Sequence, residues 1–270
     1  MDGHRVLRLG ETLRATVDAL PGLWRGAWGA ILAAAVIWGI QPLAAGAASL
    51  IWAPFGLVAT LVLAGALGRI AITEDLPQAR RLGLGPAGLQ FGRPELRLLG
   101  AGLLCAVFLA MILSVVALVL LALFGMAELN AQAIELRQWS AVGPVWKLAL
   151  LALVTAFALF AVVAFSVRLS LFAPATIGRG HMVSLQSRSI ARGALWPLMI
   201  GQAITAIPTL VLTVLWAVGL LSRTSGWIVG AVVLIAVQAP LTTGYLGAAY
   251  RRLERWTPLE KPHGRDLLHQ

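Results

Sequence analysis

The amino-acid sequence predicts an all-α, polytopic integral membrane protein with six transmembrane helices. Apolar residues make up 59% of its 270 positions and charged residues only 12%, which is outside the range of soluble globular domains. The charges are also clustered, so that long uncharged runs lie between them. A bilayer core of about 30 Å needs about 20 apolar helical residues, and each run of that length therefore predicts one span. The uncharged runs cover residues 26–68, 98–127, 148–167, 193–222 and 224–250.

The first of these runs has the length of two spans. Gln41, Pro42, Gly46 and Ser49 supply turn-forming residues near its middle, and such a cluster favours a tight connection between two helices. The other four runs each have the length of one span. The six spans are expected to form three hairpins, which pair residues 26–41 with 47–68, 98–126 with 146–168, and 195–221 with 226–250.

The distribution of basic residues predicts the orientation. Eighteen Lys and Arg residues fall in four segments on one side of the predicted spans, and only Arg137, Lys147 and Arg223 fall on the other. Lys and Arg concentrate on the cytoplasmic side of a membrane, so both termini should be cytoplasmic. The net charge of +10 then indicates attraction to the inner leaflet. Nucleic-acid binding is not expected, because no soluble domain remains to carry it. The four segments are residues 1–25, 69–97, 168–194 and 251–270.

This topology divides the chain into three parts. Residues 1–25 form a cytoplasmic amphipathic helix, residues 26–250 the six-helix membrane domain, and residues 251–270 a cytoplasmic tail. On the first helix an apolar stripe recurs at helical spacing, and Pro21-Gly22 is expected to end the helix. It lies flat on the inner leaflet or packs against the cytoplasmic ends of the bundle, and the sequence leaves both open. The stripe consists of Val6, Leu9, Leu13, Val17 and Leu20.

Catalytic chemistry finds little support in the sequence. No Asp or Glu occurs within a predicted span, and all four histidines lie outside the membrane, so a proton relay or an intramembrane metal site has no evident member. His263, Asp266 and His269 of the tail fit a solvated terminus better than a metal site. We therefore expect no catalytic residues, no metal and no cofactor.

A polar stripe follows one face of the fifth predicted span, and Gln238 lies in the sixth. Inter-helix packing through Thr and Gln hydrogen bonds is the favoured interpretation. The alternative is the lining of a passage or ligand pocket. Pro208 and Pro240 are expected to break these two spans. The stripe consists of Gln202, Thr205, Thr209 and Thr213.

The segment after the fourth predicted span is basic and has no acidic residue. Arg168 ends that span, Pro174 is expected to stop the helix, and a short helix should follow from about Met182 to Trp196. Arg188 and Arg192 stand one turn apart on it and repel each other unless an anion lies between them. Guanidinium binds phosphate through two hydrogen bonds, so lipid phosphate is the expected ligand, with generic positive-inside charge as the alternative. The candidate ligands are Arg168, Arg179, Arg188 and Arg192.

Two stretches carry a family resemblance. Residues 168–198, "RLSLFAPATIGRGHMVSLQSRSIARGALWPL", and 239–253, "APLTTGYLGAAYRRL", resemble a loose bacterial group of uncharacterised six-span membrane proteins. That group is related to the membrane domain that accompanies some glycerophosphoryl diester phosphodiesterases. No phosphodiesterase domain is present in the sequence, so that activity does not carry over. The resemblance rests on the terminal Arg168, Pro174-Ala175, Ser187 or Ser189, Arg192-Gly193 and Trp196.

The expected function is therefore non-enzymatic. The chain is predicted to organise lipids or a partner complex at the cytoplasmic leaflet of a bacterial inner membrane. A small transporter or lipid-translocating protein is the alternative, and a membrane-bound hydrolase is a third and weaker one. Anionic membrane lipids are the expected partners, with a protein partner or a homo-oligomer through the Gly-rich sixth span also left open.

Overall fold

The computed structural model describes residues 7–43, 47–73, 75–127, 129–130, 132–133, 142–179 and 194–254. All regular elements in these ranges are helices, which confirms the predicted all-α class. A 3₁₀ turn follows α1 at Gln41–Leu43, another lies at Pro86–Gly88, and a π-helical segment, Val233–Gln238, joins α9 to α10. The helices are α1 (Leu9–Ile40), α2 (Ala47–Ile72), α3 (Leu76–Arg81), α4 (Arg93–Met126), α5 (Val145–Leu169), α6 (Phe172–Arg179), α7 (Leu195–Thr205), α8 (Ile207–Ala217), α9 (Arg223–Val232) and α10 (Ala239–Glu254).

Several of these helices are long and apolar enough to cross a membrane. In the described part of the chain they number five, or six if the bent pair α7 and α8 forms one span. Their number and apolarity indicate a multi-pass membrane protein.

Helices α1, α2 and α10 pack together as a central three-helix unit. Small residues let their backbones approach closely: a Cβ on Gly247 of α10 would lie 2.6 Å from both the Cβ and the carbonyl oxygen of Ala71 in α2. On α1 the buried positions include Leu23, Ala27 and Ala30. This close packing of small residues is typical of membrane helix interfaces.

Helices α4, α5, α7 and α8 lie outside this unit and are largely exposed. None of the most apolar stretch of α4, and only 6% of that of α5, is buried. Phe108 of α4 and Phe165 of α5 bring their ring centroids to 5.5 Å. Tyr245 of α10 attaches α7 to the central unit, because its hydroxyl donates to the Pro197 carbonyl at 2.6 Å and its ring covers Gly201.

The expectation that Pro21-Gly22 ends the first helix was wrong. Helix α1 continues through both residues to Ile40, and only Ala27 departs from helical geometry (φ −116°, ψ 16°). A proline inside a helix removes one hydrogen bond, here to the carbonyl of Val17. Pro21 and Val17 are both exposed, so the proline lies on the side of α1 away from the bundle, and the packing of α1 against α10 continues across it.

The described part of this amphipathic segment packs against the bundle, which is one of the two options that the sequence leaves open. Thr12 and Thr16 are buried, whereas Val17 of the predicted apolar stripe is 60% exposed. Each buried threonine donates its hydroxyl to a carbonyl one turn earlier, Thr12 to Arg8 at 2.9 Å and Thr16 to Thr12 at 2.8 Å. Because the hydroxyls are satisfied within the helix, threonine can occupy the interface with α10.

The expectation that Pro174 stops the helix was also wrong in detail. Helix α5 ends at Leu169, and α6 already begins at Phe172. Pro174 therefore lies in the first turn of α6, where its missing N–H has no intrahelical partner to lose. The break precedes the proline.

The expected break at Pro208 is present, whereas at Pro240 the span stays helical and changes only its local geometry. Helices α7 and α8 meet at an angle of 47° just before Pro208, and the π-helical segment immediately precedes Pro240 and α10. Pro240 has no N–H to offer to the carbonyl of Ala236. The indole of Trp24 donates to that carbonyl instead, at 2.8 Å.

Candidate functional site

One end of the bundle holds Arg69, Arg168 and Arg251, in the last turns of α2, α5 and α10; we call it the basic end. Helix α6 joins these elements, because Ile177 fills the space beside Gly68 of α2 and Gly178 lies against the ring of Tyr250 in α10. The arginines that the sequence assigns to separate cytoplasmic segments therefore occupy one side of the described bundle.

Among the four predicted phosphate ligands, the structure describes the side chain of Arg168. Its Nε atom is buried and has no hydrogen-bond partner among the described residues. A buried N–H without an acceptor is costly, so an acceptor such as a phosphate oxygen would stabilise it. The side chain of Arg179, and Arg188 and Arg192 entirely, lie outside the described residues, as does most of the helix predicted from Met182 to Trp196.

A buried ion pair at the basic end was not predicted from the sequence. Arg69 of α2 and Glu95 in the first turn of α4 approach to 2.7 Å between Nη2 and Oε1, and their side chains are 3% and 1% exposed. Arg69 also donates from Nε to the Leu82 carbonyl at 3.0 Å. Glu95 accepts from the Gly92 N–H at 2.9 Å. The pair therefore attaches α4 and the 82–92 loop to α2.

Glycines make room for this pair and its loop. A Cβ on Gly65 would lie 2.8 Å from Glu95 Oε1. Gly88 takes a positive φ of 78° and packs so closely that a Cβ there would lie 2.8 Å from Ala27 Cα. The residues just before and at Gly88 form a 3₁₀ turn, Pro86–Gly88.

A pocket of 510 Å³ opens at the basic end, between α1, the end of α2 with the start of α3, and α10; we call it the Asp–Arg pocket. Its polar lining consists of Asp18, Thr73, Asp75, Arg251 and Arg252, and the remaining lining side chains are those of Ala, Gly, Ile and Leu residues. Carboxylates and guanidiniums thus share one concave surface.

Three of the four charged side chains that line the Asp–Arg pocket are held by neighbours. Arg251 donates to the Thr73 carbonyl at 2.5 Å, and Asp75 accepts from the Gln78 N–H at 2.8 Å. Arg252 donates to the Glu11 carboxylate at 2.7 Å. Arg252, followed by Arg8, holds the pKa of Glu11 below its usual value; this glutamate lies ahead of the predicted first span.

The polar stripe is used mainly in contacts between and within helices. Gln202 donates to the Ser170 hydroxyl after α5, and Thr209 donates to Gln238 Oε1 at 2.8 Å. Thr205 and Thr213 bond to carbonyls of their own helical segments. The structure thus brings Thr209 and Gln238 together, and these bonds agree with the packing interpretation.

Tryptophans cap the opposite end of α1. The indole of Trp52 donates to the Ile37 carbonyl at 2.7 Å, and that of Trp227 donates to the Trp38 carbonyl at 2.8 Å. These carbonyls belong to the last turn of α1, where no intrahelical N–H remains for them. Indoles are enriched at the interfaces of a membrane, and this end of α1 has three of them, those of Trp38, Trp52 and Trp227.

Comparisons with protein-family models, with curated proteins and with solved structures find no match to this chain. Within the described ranges, no three His, Cys, Asp or Glu side chains come together as a metal site.

Proposed function

We propose that this chain is a non-enzymatic protein of the bacterial inner membrane that organises lipids, or a partner complex, at the cytoplasmic leaflet. In this proposal it has six spans arranged as three hairpins, and both termini are cytoplasmic. The excess of basic residues on one side of the spans supports the orientation. The extensive packing of α1 against α2 supports the first hairpin.

The observation that carries the proposal is the buried Nε of Arg168, which has no partner among the described residues. It lies at the end of a helix that enters the basic segment, and Arg179, Arg188 and Arg192 follow in sequence. Lipid phosphates are the most abundant anions at a membrane surface, and a guanidinium binds them through paired, charge-assisted hydrogen bonds. An anionic lipid bound by Arg168 and this segment satisfies the buried donor.

The resemblance to the membrane domain that accompanies glycerophosphoryl diester phosphodiesterases is part of this proposal. The membrane domain of that group carries no catalytic residues that we can assign. The resemblance therefore supports a location beside lipid headgroups and not a catalytic role. The phosphodiesterase activity itself is not proposed for this chain.

Lipid retention tests the proposal. Native mass spectrometry of the protein ejected from its own membrane should show a bound anionic lipid. The double variant Arg188→Gln/Arg192→Gln should lower its occupancy by about tenfold or more, the effect of losing at least one charge-assisted hydrogen bond.

The matched control is Arg80→Gln/Arg81→Gln, which removes the same charge from exposed positions of α3. It should leave the lipid bound. Equal loss in both double variants would reduce the effect to generic positive charge, and unchanged retention in Arg188→Gln/Arg192→Gln would refute a specific site. A second polypeptide at fixed stoichiometry would instead identify the partner-complex form of the role.

A small transporter is the second candidate, and one observation favours it. The break before Pro208 and the π-helical segment before Pro240 lie on neighbouring helices, linked by Thr209 and Gln238. Paired discontinuous helices are where many transporters bind their cargo. A water-accessible Gln238→Cys variant, labelled by a membrane-impermeant thiol reagent in a Cys105→Ala background, would support a passage; protection of that thiol would favour packing.

A further inference from the structure

The Asp–Arg pocket has the chemistry of a lipid-headgroup site that is separate from the basic segment. We propose that it binds a phosphodiester bearing a primary ammonium, that is, a phosphoethanolamine-type headgroup. Asp18 and Asp75 receive the ammonium, and Arg251 and Arg252 receive the phosphate. The proposal rests on the proposed function only in requiring that the basic end lie at a bilayer surface.

The depth of the pocket agrees with a headgroup. Trp38, Trp52 and Trp227 cluster at the far end of α1, where aromatic residues mark one membrane interface. The pocket's α1 wall, residues 15–22, lies between 23 and 16 residues before Trp38 in the sequence. At about 1.5 Å per residue this wall lies about 24–35 Å from Trp38, close to the thickness of a bilayer core. The pocket therefore opens at the opposite headgroup layer.

The charges of the lining select for a zwitterion. Two carboxylates and two guanidiniums line one space, and Arg252 is already paired with Glu11. A ligand with a single phosphate and no cation would therefore leave Asp18 and Asp75 without a counter-charge from the ligand. Electrostatic complementarity of this kind sets specificity more than affinity. A headgroup with one ammonium and one phosphate matches both halves of the lining.

The kind of ammonium is also selected. Carboxylates bind N–H donors by charge-assisted hydrogen bonds, and a primary ammonium offers three. A quaternary ammonium offers none and is usually bound by aromatic rings, whereas the described lining of this pocket contains Ala, Gly, Ile, Leu, Thr, Asp and Arg residues. Ethanolamine should therefore bind in preference to choline.

The pocket is built before any ligand arrives. Asp75 is fixed by the Gln78 N–H, Arg251 by the Thr73 carbonyl and Arg252 by Glu11. Asp18 is exposed on α1 and makes no hydrogen bond or ion pair with the other described residues, so its carboxylate remains available to a donor. Such preorganisation reduces the entropy lost on binding.

The test uses a series of lipids that differ only in the number of N–H donors. The full chain is reconstituted into nanodiscs that contain phosphatidylethanolamine, its N-methyl and N,N-dimethyl forms and phosphatidylcholine in equal amounts. Retained lipid is then read by native mass spectrometry. Retention should fall with each added methyl group, by about tenfold from ethanolamine to choline, as expected for lost charge-assisted hydrogen bonds.

Asp18→Asn should flatten this series, because it removes the charge while keeping the shape of an exposed side chain. Arg81→Gln is the matched control: it alters one exposed charge at the basic end, outside the pocket lining, and should leave the series unchanged. A flat series in the unaltered chain, or a full series in Asp18→Asn, would overturn the proposal.

Two further arms separate the source of the headgroup and the two lipid sites. If soluble glycerophosphoethanolamine displaces phosphatidylethanolamine, the pocket binds the free headgroup as well as the lipid. If it does not, the ligand of the pocket is the bilayer lipid. Retention of phosphatidylglycerol should follow Arg188→Gln/Arg192→Gln and be indifferent to Asp18→Asn. The pocket proposal and the proposed function can therefore fail independently.

Discussion

The central three-helix unit and the outer helices bury their apolar residues to very different extents. Half of the most apolar stretch of α2 is buried, and none of that of α4. Both are apolar enough to enter a membrane, so hydropathy alone does not separate them. The size of the side chains separates the two regions. Helices α1, α2 and α10 approach one another at Ala and Gly residues, whereas α4 presents large residues such as Leu103, Met111 and Leu118, each more than 60% exposed.

This difference shows which interactions drive the association of helices in a membrane. Lipid tails cover leucine as well as another helix does, so large apolar residues give no net drive towards a neighbour. Close backbone approach and hydrogen bonds provide the drive, and these concentrate in the central unit. The outer helices are held to it at a few polar or aromatic points. Substitutions at those contacts therefore test the difference between the central unit and the outer helices.

The largest effect is expected at the ion pair that fastens α4 to α2. Glu95→Ala leaves the Arg69 guanidinium, 3% exposed, without its counter-charge, and breaking a buried pair in this way costs about 3–5 kcal/mol. Unfolding by titration with SDS, followed by tryptophan fluorescence, would measure the loss.

The double variant Arg69→Met/Glu95→Leu serves as its control. Because no unpaired charge remains buried, it should recover part of the loss, although the bonds to Leu82 and Gly92 are gone. If Glu95→Ala unfolds at the same SDS fraction as the unaltered chain, the pair does not hold the outer helices.

A smaller effect should distinguish the glycines of the two regions. In Gly247→Ala the new methyl group meets the backbone oxygen of Ala71 at 2.6 Å, which cannot move aside, and overpacking of this kind costs about 1–3 kcal/mol. In Gly125→Ala of α4 nothing lies within 4 Å, and the helix gains up to about 1 kcal/mol. Opposite signs in the unfolding midpoints would confirm the contrast; equal shifts would contradict it.

The sequence predicted what composition and charge determine. It predicted the all-helical class, the apolar helices and the break before Pro208, since these follow from local chemistry. It also indicated that the glycines of the sixth span are contact residues. Which surface they pack against could not be read: Gly247 meets Ala71 and Gly244 meets Leu23, so these glycines serve contacts within the chain. Whether the chain also forms a homo-oligomer stays a prediction.

The candidate sites were less accessible to sequence reasoning. In the sequence Arg69 belongs to a basic segment and Glu95 follows Pro94, and a pair separated by 26 positions leaves no periodic trace. Thr12 and Thr16 lie beside the predicted apolar stripe and were not part of it, yet they are buried, since their hydroxyls bond to their own helix. The Asp–Arg pocket draws on three distant segments. The packing of α1, continuous through Pro21, on both α2 and α10 brings them together.

The smallest expected effect on stability concerns the polar stripe, where two threonines of α8 make different kinds of hydrogen bond. Thr209→Val removes the donor to Gln238 Oε1, which links α8 to the π-helical segment, whereas Thr213→Val removes only a bond to the Thr209 carbonyl. Hydrogen bonds between membrane helices average about 0.6 kcal/mol and reach about 1.7. Thr209→Val should therefore lower stability by that amount, and Thr213→Val by less.

The double variant Thr209→Val/Gln238→Leu then decides between packing and passage. If the two side chains serve only each other, the double variant should cost less than the sum of the single changes, because no unsatisfied amide remains. If they line a water-filled passage, water already satisfies each group, and the single changes should be additive and nearly neutral. SDS unfolding of the unaltered chain, the two single variants and the double variant measures this coupling directly. Additive effects would favour a passage over packing as the role of the polar stripe.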